Sequence, residues 1–334
     1  MNSRVVVFPE PMQAALIEEE VAPPGAGRLL VEATCSLVST GTEMICFHAS
    51  CDPGTHWAGF AHLPHRPGYS LMGRIAEVGA DLEGWEVGQR VICTANHRSH
   101  VLVEPAQVWG IRVPDDISDE RAVWAVLGVI TQTGVRMAEH VMGDSAVVIG
   151  LGPLGQLVTQ YLRILGLEQI LAVDPVPGRL DLALKQGATA GFCGRSDDAK
   201  EFVLEHTQGR LADVVYDVTG HWAVLPTALP LARDHGKLLL LGDSPHPSRQ
   251  VLTDDVVSRQ VKIIGSRSSW LPPAYAMWTP QRMTDLFLTY VQRGVMRVDE
   301  LTTHRVRPEE AAQVYAMLAE NRGETLGVMF DWRA

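Results

Sequence analysis

The sequence predicts an α/β chain in which a doubly wound parallel sheet is inserted into a second, β-rich domain. Three observations predict this. A strand, a glycine-rich turn, a helix and a second strand follow one another between Asp144 and Asp174. Strands and helices keep alternating after that unit, as far as Gly265. The residues ahead of it read mostly as short strands bounded by turn residues.

The central unit comes first. Val147, Val148 and Ile149 form a short β-branched run, the pattern of a buried parallel strand. Gly150, Gly152 and Gly155 follow with the spacing G-x-G-x-x-G. An apolar helix carries Leu157, Val158, Tyr161, Leu162 and Leu165 and stops at Gly166. The next strand, Gln169 to Asp174, ends on an acid 19 positions past Gly155. Gly150 suits a tight turn, Gly152 lets backbone approach a pyrophosphate, and Gly155 lets helix and strand pack closely. The helix start offers unpaired N–H groups to phosphate. A carboxylate at Asp174 accepts hydrogen bonds from a ribose diol and repels a 2′-phosphate, so NAD is expected over NADP. Any one of these features is weak; their order together is a specific Rossmann signature.

The bulk composition narrows the function classes. The chain has 334 residues, enough for two domains, with 46% hydrophobic residues and mean hydropathy +0.04. A formal charge of -11 and a pI near 5.5 argue against nucleic acid and against an anionic membrane surface. No apolar run approaches the ~18 residues of a membrane span. Residues 1–140 contain no lysine, which removes lysine as a base from that region. Cys35, Cys46, Cys51, Cys93 and Cys193 are scattered, odd in number and without a C-x-x-C pair. They are expected to be reduced thiols of a cytoplasmic protein. The first residues read as a strand rather than a signal peptide.

Along the chain, residues 1–118 read as a mostly β domain, with strands at 28–34, 73–79, 88–93 and 101–104. The segment 50–68, rich in His, Pro and Gly, reads as a long irregular loop, either functional or a solvated excursion. Residues 119–141 read as helical with a turn at Gly128. Residues 119–265 form the dinucleotide domain. Its later elements are helices over 179–186, 197–207 and 222–233, and strands at 189–193, 212–218, 237–242 and 261–265. Residues 266–334 are expected to complete the N-terminal domain, with helices at 280–293 and 308–320 and a last strand at 327–332. A cleft is expected between the two domains.

Several stretches together resemble the medium-chain dehydrogenase/reductase superfamily over nearly the whole length. They are Pro67–Gly79, Val87–Val91, Val148–Gly155, Asp213–Gly220 and Gly236–Gly242. The resemblance implies a GroES-like catalytic domain, an inserted Rossmann domain and hydride transfer with a nicotinamide cofactor. It also implies where the cofactor touches. Gly150, Gly152, Pro153, Leu154 and Gly155 would meet the pyrophosphate, and Asp174 the adenine ribose. Arg179 would lie near it or in a solvated pair. Thr219 and Gly242 would stand at the carboxyl edge of the sheet, and Gly265 and Ser266 near the nicotinamide amide. A homodimer paired through the strand at 261–264 is the family's common assembly.

The resemblance breaks at the metal. Where the alcohol dehydrogenases of this superfamily carry zinc ligands, this chain reads Thr40-Gly-Thr-Glu43, Gly68-Tyr-Ser70 and Leu127-Gly-Val129. Thr40, Tyr69 and Val129 replace the ligands, and a valine cannot bind zinc. The four-cysteine lobe for a structural zinc is absent as well, so no metal is expected. Ser39–Glu43, Gly68–Ser70, Asn96-His97 and Gly134–Arg136 look like a zinc-free branch, which includes bacteriochlorophyllide 3-hydroxyethyl dehydrogenases and sugar-linked dehydrogenase modules.

Without zinc, a side chain must take or relay the hydroxyl proton. Tyr69 is the first candidate, as a phenol that polarises a carbonyl or shuttles the proton, or else as a packed aromatic. Glu43 would orient Tyr69 or act as base, or be a structural acid. His97 and His48 are expected on loops lining the cleft, where imidazole titrates near neutral pH. Ser39, Thr40 and Ser70 offer hydroxyls to a substrate or to local backbone. The leading expectation is a zinc-independent, NAD-dependent dehydrogenase of a secondary alcohol, acting on a sugar- or cyclitol-like small molecule. Two other readings stay open: a zinc-free enone or quinone reductase, and a sensor that binds NAD(H) without turnover.

Overall fold

A computed structural model describes residues 1–333. The chain divides into two compact units. The first takes Met1–Leu127, Trp278–Gly294 and the residues from Val298 on; the second takes Gly128–Met277 and Val295–Arg297. Both limits of the second unit lie later than 119 and 265. Residues 119–127 belong with the first unit because they are bonded to it. The Arg90 guanidinium donates to Asp119 Oδ1 at 2.9 and 2.6 Å. Ser70 Oγ donates to the Val123 carbonyl at 2.6 Å, and the Trp124 indole N–H to Thr302 Oγ1 at 3.0 Å. At the other limit, Tyr275 donates to Glu139 Oε1 at 3.0 Å, within the second unit.

The first unit is built on a seven-stranded sheet whose central member is Leu29–Val38. That strand is buried along nearly its whole length, because Leu71–Val78 and Gly327–Asp331 pair with it antiparallel and His100–Val103 adds to one end. Its Leu29, Val31, Ala33 and Val38 side chains enter a core shared with Phe8, Phe47, Tyr315 and Phe330. Directly after it the chain turns into a helix, Thr42–His48, inside a region expected to be β. Glu43, Met44, Cys46 and Phe47 recur at helical spacing and face the core. The helix Ala311–Glu320 packs on this helix, with the Tyr315 ring 5.6 Å from that of Phe47 and 4.7 Å from that of Phe8. The segment 50–68 contains a short helix, His56–Phe60, anchored by buried Trp57.

The second unit is a six-stranded parallel sheet. In order across the sheet the strands are Ala190–Cys193, Gln169–Asp174, Ser145–Ile149, Ala212–Asp217, Ala232–Leu240 and Lys262–Gly265. The order reverses between Ser145–Ile149 and Ala212–Asp217, and such a switch point opens a ligand crevice at the carboxyl ends of the strands. Two expected elements differ. The helix expected over 222–233 shrinks to Leu225–Ala228 and one 3₁₀ turn, since Pro230 has no N–H to continue it. The helix Ala125–Met137 runs straight through Gly128; the break lies at Val123–Trp124 instead. Among the described residues no helix is long and apolar enough to cross a membrane.

Candidate functional site

The second unit carries a glycine-rich turn at its switch point. The buried strand Ser145–Ile149 runs into Gly150, whose φ of +89° lies in the left-handed region. A Cβ there would also meet Thr219 Cγ2 at 2.7 Å, so only glycine fits. At Gly155 a Cβ would sit 2.0 Å from the Gly150 carbonyl, so the helix Pro153–Leu165 rests directly on the turn. Gly152 differs from both: a Cβ there would meet nothing within 4 Å. That open side is where a pyrophosphate fits. Pro153 opens the helix and has no N–H, and Gln156 is the first to bond back, to the Gly152 carbonyl at 3.0 Å. The N–H groups of Leu154 and Gly155 are thus the unsatisfied donors of a helix start.

Asp174 ends its strand and is buried. Its Oδ2 accepts from the Leu151 N–H at 2.7 Å and its Oδ1 from the Val176 N–H at 2.8 Å, which ties the glycine turn to the next strand end. Each oxygen keeps a second lone pair for a ribose hydroxyl. Arg179 stands in the first turn of the next helix; burial lowers its pKa, and Asp174 opposes that shift. Gln156, fully buried, donates to the carbonyls of Leu151 (3.1 Å) and Arg179 (2.7 Å), and its Oε1 has no partner among the described residues. Across the switch point Thr219 directs its N–H and hydroxyl at Asp217 Oδ1, at 2.9 and 2.6 Å. Gly242 packs on Gly220, where a Cβ would meet backbone at 2.2 Å. Gly265 faces open space, and the Ser266 hydroxyl has no partner among the described residues. Burial pushes the Asp217 carboxyl up to about 6. The residues present therefore fit a dinucleotide. Asp217 and Gln156 were not singled out from the sequence, although the run Asp213–Gly220 contains the first.

The first unit carries a buried polar cluster around Glu43. Glu43 Oε1 accepts from the Ser39 N–H at 2.7 Å; Oε2 accepts from Tyr315 Oη at 2.5 Å and lies 3.1 Å from His97 Nε2. A carboxylate cannot donate, so His97 Nε2 carries the proton and, in the neutral ring, Nδ1 is the acceptor. Nδ1 lies 2.8 Å from Ser36 Oγ, which itself accepts from the Trp332 indole at 2.9 Å and so directs its own proton at His97. Ser36, His97 and Glu43 are linked like a hydrolytic triad, but Ser36 and His97 are fully buried and Glu43 almost so. They cannot meet a substrate directly.

Next to this cluster, Ser39 Oγ makes a short hydrogen bond to the hydroxyl of Tyr69, a residue that is partly exposed although its phenol group is surrounded by protein. Gly68 creates the room for this arrangement: its φ is +98°, and a Cβ would meet the His97 imidazole at 2.8 Å. Burial raises the Tyr69 pKa; hydrogen bonds from Ser39 and Thr42 lower it, and the Glu43 charge raises it further. The phenol is therefore protonated around neutral pH.

The expected site residues thus part company. Tyr69, Glu43, Ser39 and His97 come together. Thr40 is buried beside them. His97, expected on a cleft-lining loop, is sealed in the core by Gly68 and Phe330. His48, expected on a loop, is the exposed last residue of the helix that carries Glu43, five positions on and so on the opposite face. Ser70 bonds backbone only. Tyr315, Ser36 and Trp332 were not foreseen; Tyr315 looks like any core residue of an amphipathic helix, and nothing in its local sequence marks it.

A zinc ion does not fit the residues present. In the first unit Thr40 and Tyr69 offer hydroxyls where thiolate or imidazole is needed. Among the described residues no group of three or more His, Cys, Asp or Glu is placed to hold a metal.

Comparison with known proteins agrees with this division. Residues 25–142 match the family described as alcohol dehydrogenase GroES-like domain, and residues 153–277 the family described as zinc-binding dehydrogenase. The chain is 26% identical to D-guloside 3-dehydrogenase of Escherichia coli K12, covering 97% of this chain and 99% of the relative. Among solved structures it resembles an alcohol dehydrogenase (rspB) of Escherichia coli CFT073 complexed with NADH. The TM-score is 0.80 at 18% identity, covering 99% of both chains. It also resembles a protein of Sinorhizobium meliloti 1021 described as a zinc-binding dehydrogenase and bound to NADP, with TM-score 0.81 at 18% identity, again covering 99% of both chains.

Proposed function

Because the chain belongs to the medium-chain dehydrogenase/reductase superfamily, and is an oxidoreductase of that type, we propose that it interconverts a secondary alcohol and its ketone with NAD(H) and without zinc. The substrate we propose is a small polyhydroxylated molecule of the sugar or cyclitol kind, in keeping with the guloside dehydrogenase it resembles over nearly its full length. The observation that carries this reading is the hydrogen-bonded Ser39–Tyr69 hydroxyl pair, in which Tyr69 takes the place of a zinc ligand.

When bound, the dinucleotide supplies the hydride acceptor or donor. Gly150, Gly152, Pro153, Leu154 and Gly155 hold its pyrophosphate, Asp174 its adenine ribose with Arg179 alongside, and Thr219, Gly242, Gly265 and Ser266 line its path over the sheet edge. The Asp174 carboxylate favours NAD over NADP by charge. Tyr69 moves the proton. In reduction the phenol gives its proton to the carbonyl oxygen, and the Ser39 hydroxyl then donates to the phenolate until solvent reprotonates it. In oxidation the same path runs backwards. Thr40 lies next to this pair and contributes a further hydroxyl, and Glu43 and His97 act from beneath it. The five cysteines are free, which suits a reducing cytoplasm. The strand Lys262–Gly265 is an edge of its sheet and the surface we propose for a homodimer.

The test is turnover of a panel of methyl glycosides and inositols with NAD and with NADP, read by nicotinamide absorbance, in the parent and in Tyr69→Phe. Oxidation with NAD that Tyr69→Phe abolishes supports the reading. NADP preference with activity on quinones, or NAD binding with no turnover of any alcohol, overturns it.

A further inference from the structure

Three donors converge on the Glu43 carboxylate: the Ser39 N–H, Tyr315 Oη and His97 Nε2. They come from a strand end, from a helix near the end of the chain and from the segment before strand His100–Val103. Only the first touches the Ser39–Tyr69 pair. We propose that Tyr315 and His97 are positioning residues for the reaction: they clamp Glu43 onto the backbone of Ser39, so that the helix Ala311–Glu320 fixes the hydroxyl pair that handles the proton. This rests on the role given above to Tyr69.

The geometry supports a clamp rather than simple packing. Glu43 is buried without a cationic Lys or Arg partner among its hydrogen bonds, an arrangement that costs stability unless its oxygens are fully bonded. His97 is itself held at its far nitrogen, by Ser36 and through it Trp332, so it cannot swing away. Tyr315 is held by the Phe8 and Phe47 rings. Each anchor of Glu43 is thus anchored in turn, which is how a supporting shell fixes a reacting group. The titratable groups facing Glu43 are His97, Tyr315, Tyr69, Cys46 on its own helix, and His65. Its negative charge opposes ionisation of Tyr69, so the clamp fixes a charge as well as a position.

The clamp is tested in two ways. In dinucleotide-free protein labelled with ¹³Cζ-tyrosine, the Tyr69 resonance is assigned by its loss in Tyr69→Phe and titrated with pH. Glu43→Gln keeps an acceptor for Ser39 but removes the charge, and is expected to lower the Tyr69 midpoint. In turnover of the best alcohol of the panel, Tyr315→Phe keeps the ring and removes one hydroxyl. It is expected to lower kcat about tenfold with NAD affinity unchanged, and to change kcat less than about twofold in a Glu43→Gln background. An unmoved Tyr69 midpoint, or a Tyr315→Phe effect equal in both backgrounds, overturns the proposal. If Glu43→Gln fails to fold, Tyr315→Phe alone decides: loss of thermal stability with kcat intact contradicts the clamp. Should Tyr69→Phe keep full activity, the assignment of Tyr69 fails, yet the resonance titration still reports whether Glu43 acts on it.

Discussion

On the reading proposed above, the two units place polar groups for a ligand in opposite ways. In the second unit the working groups are neighbours in sequence. Gly150 to Gly155 are backbone donors and gaps, and Asp174 and Thr219 are added where adjacent strands end. In the first unit the working groups come from Ser36–Glu43, Tyr69, His97, Tyr315 and Trp332, and they meet only because the sheet and the helix Ala311–Glu320 fold over one another. A cradle made of backbone depends on the absence of side chains. A proton-handling cluster depends on the presence of particular ones, held at distances that local sequence does not encode. Substitutions should therefore fail differently in the two places: by backbone clash in the cradle, and by loss of a particular polar group in the cluster.

The largest expected effect is at the reacting hydroxyl itself. Tyr69→Phe is expected to lower kcat by about 10²–10⁴, the range typical of a general acid–base, with NAD affinity unchanged by fluorescence titration. A loss of NAD binding instead would mean that the two regions are not separable. The cradle's counterpart is Gly155→Ala, whose methyl would sit 2.0 Å from the Gly150 carbonyl. It is expected to weaken NAD binding by at least about 100-fold and to cost ~1–3 kcal/mol in thermal unfolding, since backbone rather than a flexible side chain must yield.

Between these lies a pH effect. Burial raises the Asp217 carboxyl from 3.8 to about 6. A raised carboxyl contributes stability below its unfolded pKa and loses it as pH rises through the folded value. Going from pH 5 to pH 8 should therefore cost the parent about 1–2 kcal/mol that Asp217→Asn does not lose, measured by urea unfolding. An identical pH dependence in the two proteins would show that the site is solvated. The smallest effect is expected at His48, exposed and turned away from Glu43. His48→Ala should change kcat by less than about twofold, in contrast to residues that touch the reacting group.

The same contrast explains what could be read from the residues alone. The parallel sheet, its glycine turn and the acid at Asp174 are local periodicities and spacings, and each was legible. The expectation that Thr40, Tyr69 and Val129 replace metal ligands also comes from residue type at motif positions, and the chelation measurement below tests it. The helix Thr42–His48 was not legible, because seven residues after a long β-branched strand give too short a window for helical periodicity to stand out. His97 was legible as a candidate but not as a buried one, since only the packing of Gly68 against its ring reveals that. Tyr315 and Trp332 were silent: their partners lie in Ser36–Glu43, at the opposite end of the chain. The domain limits moved for a similar reason. Asp119 and Trp124 are bonded to Arg90 and Thr302, and no composition change marks those bonds.

The central claim is that a side chain of the first unit, rather than a metal ion, handles the proton. The most direct measurement is the rate of the chemical step in protein stripped with a chelator, with its zinc content quantified in the same sample. The full rate at a metal content far below one per chain is the expected result. A rate that disappears with the metal and returns on adding zinc would contradict it.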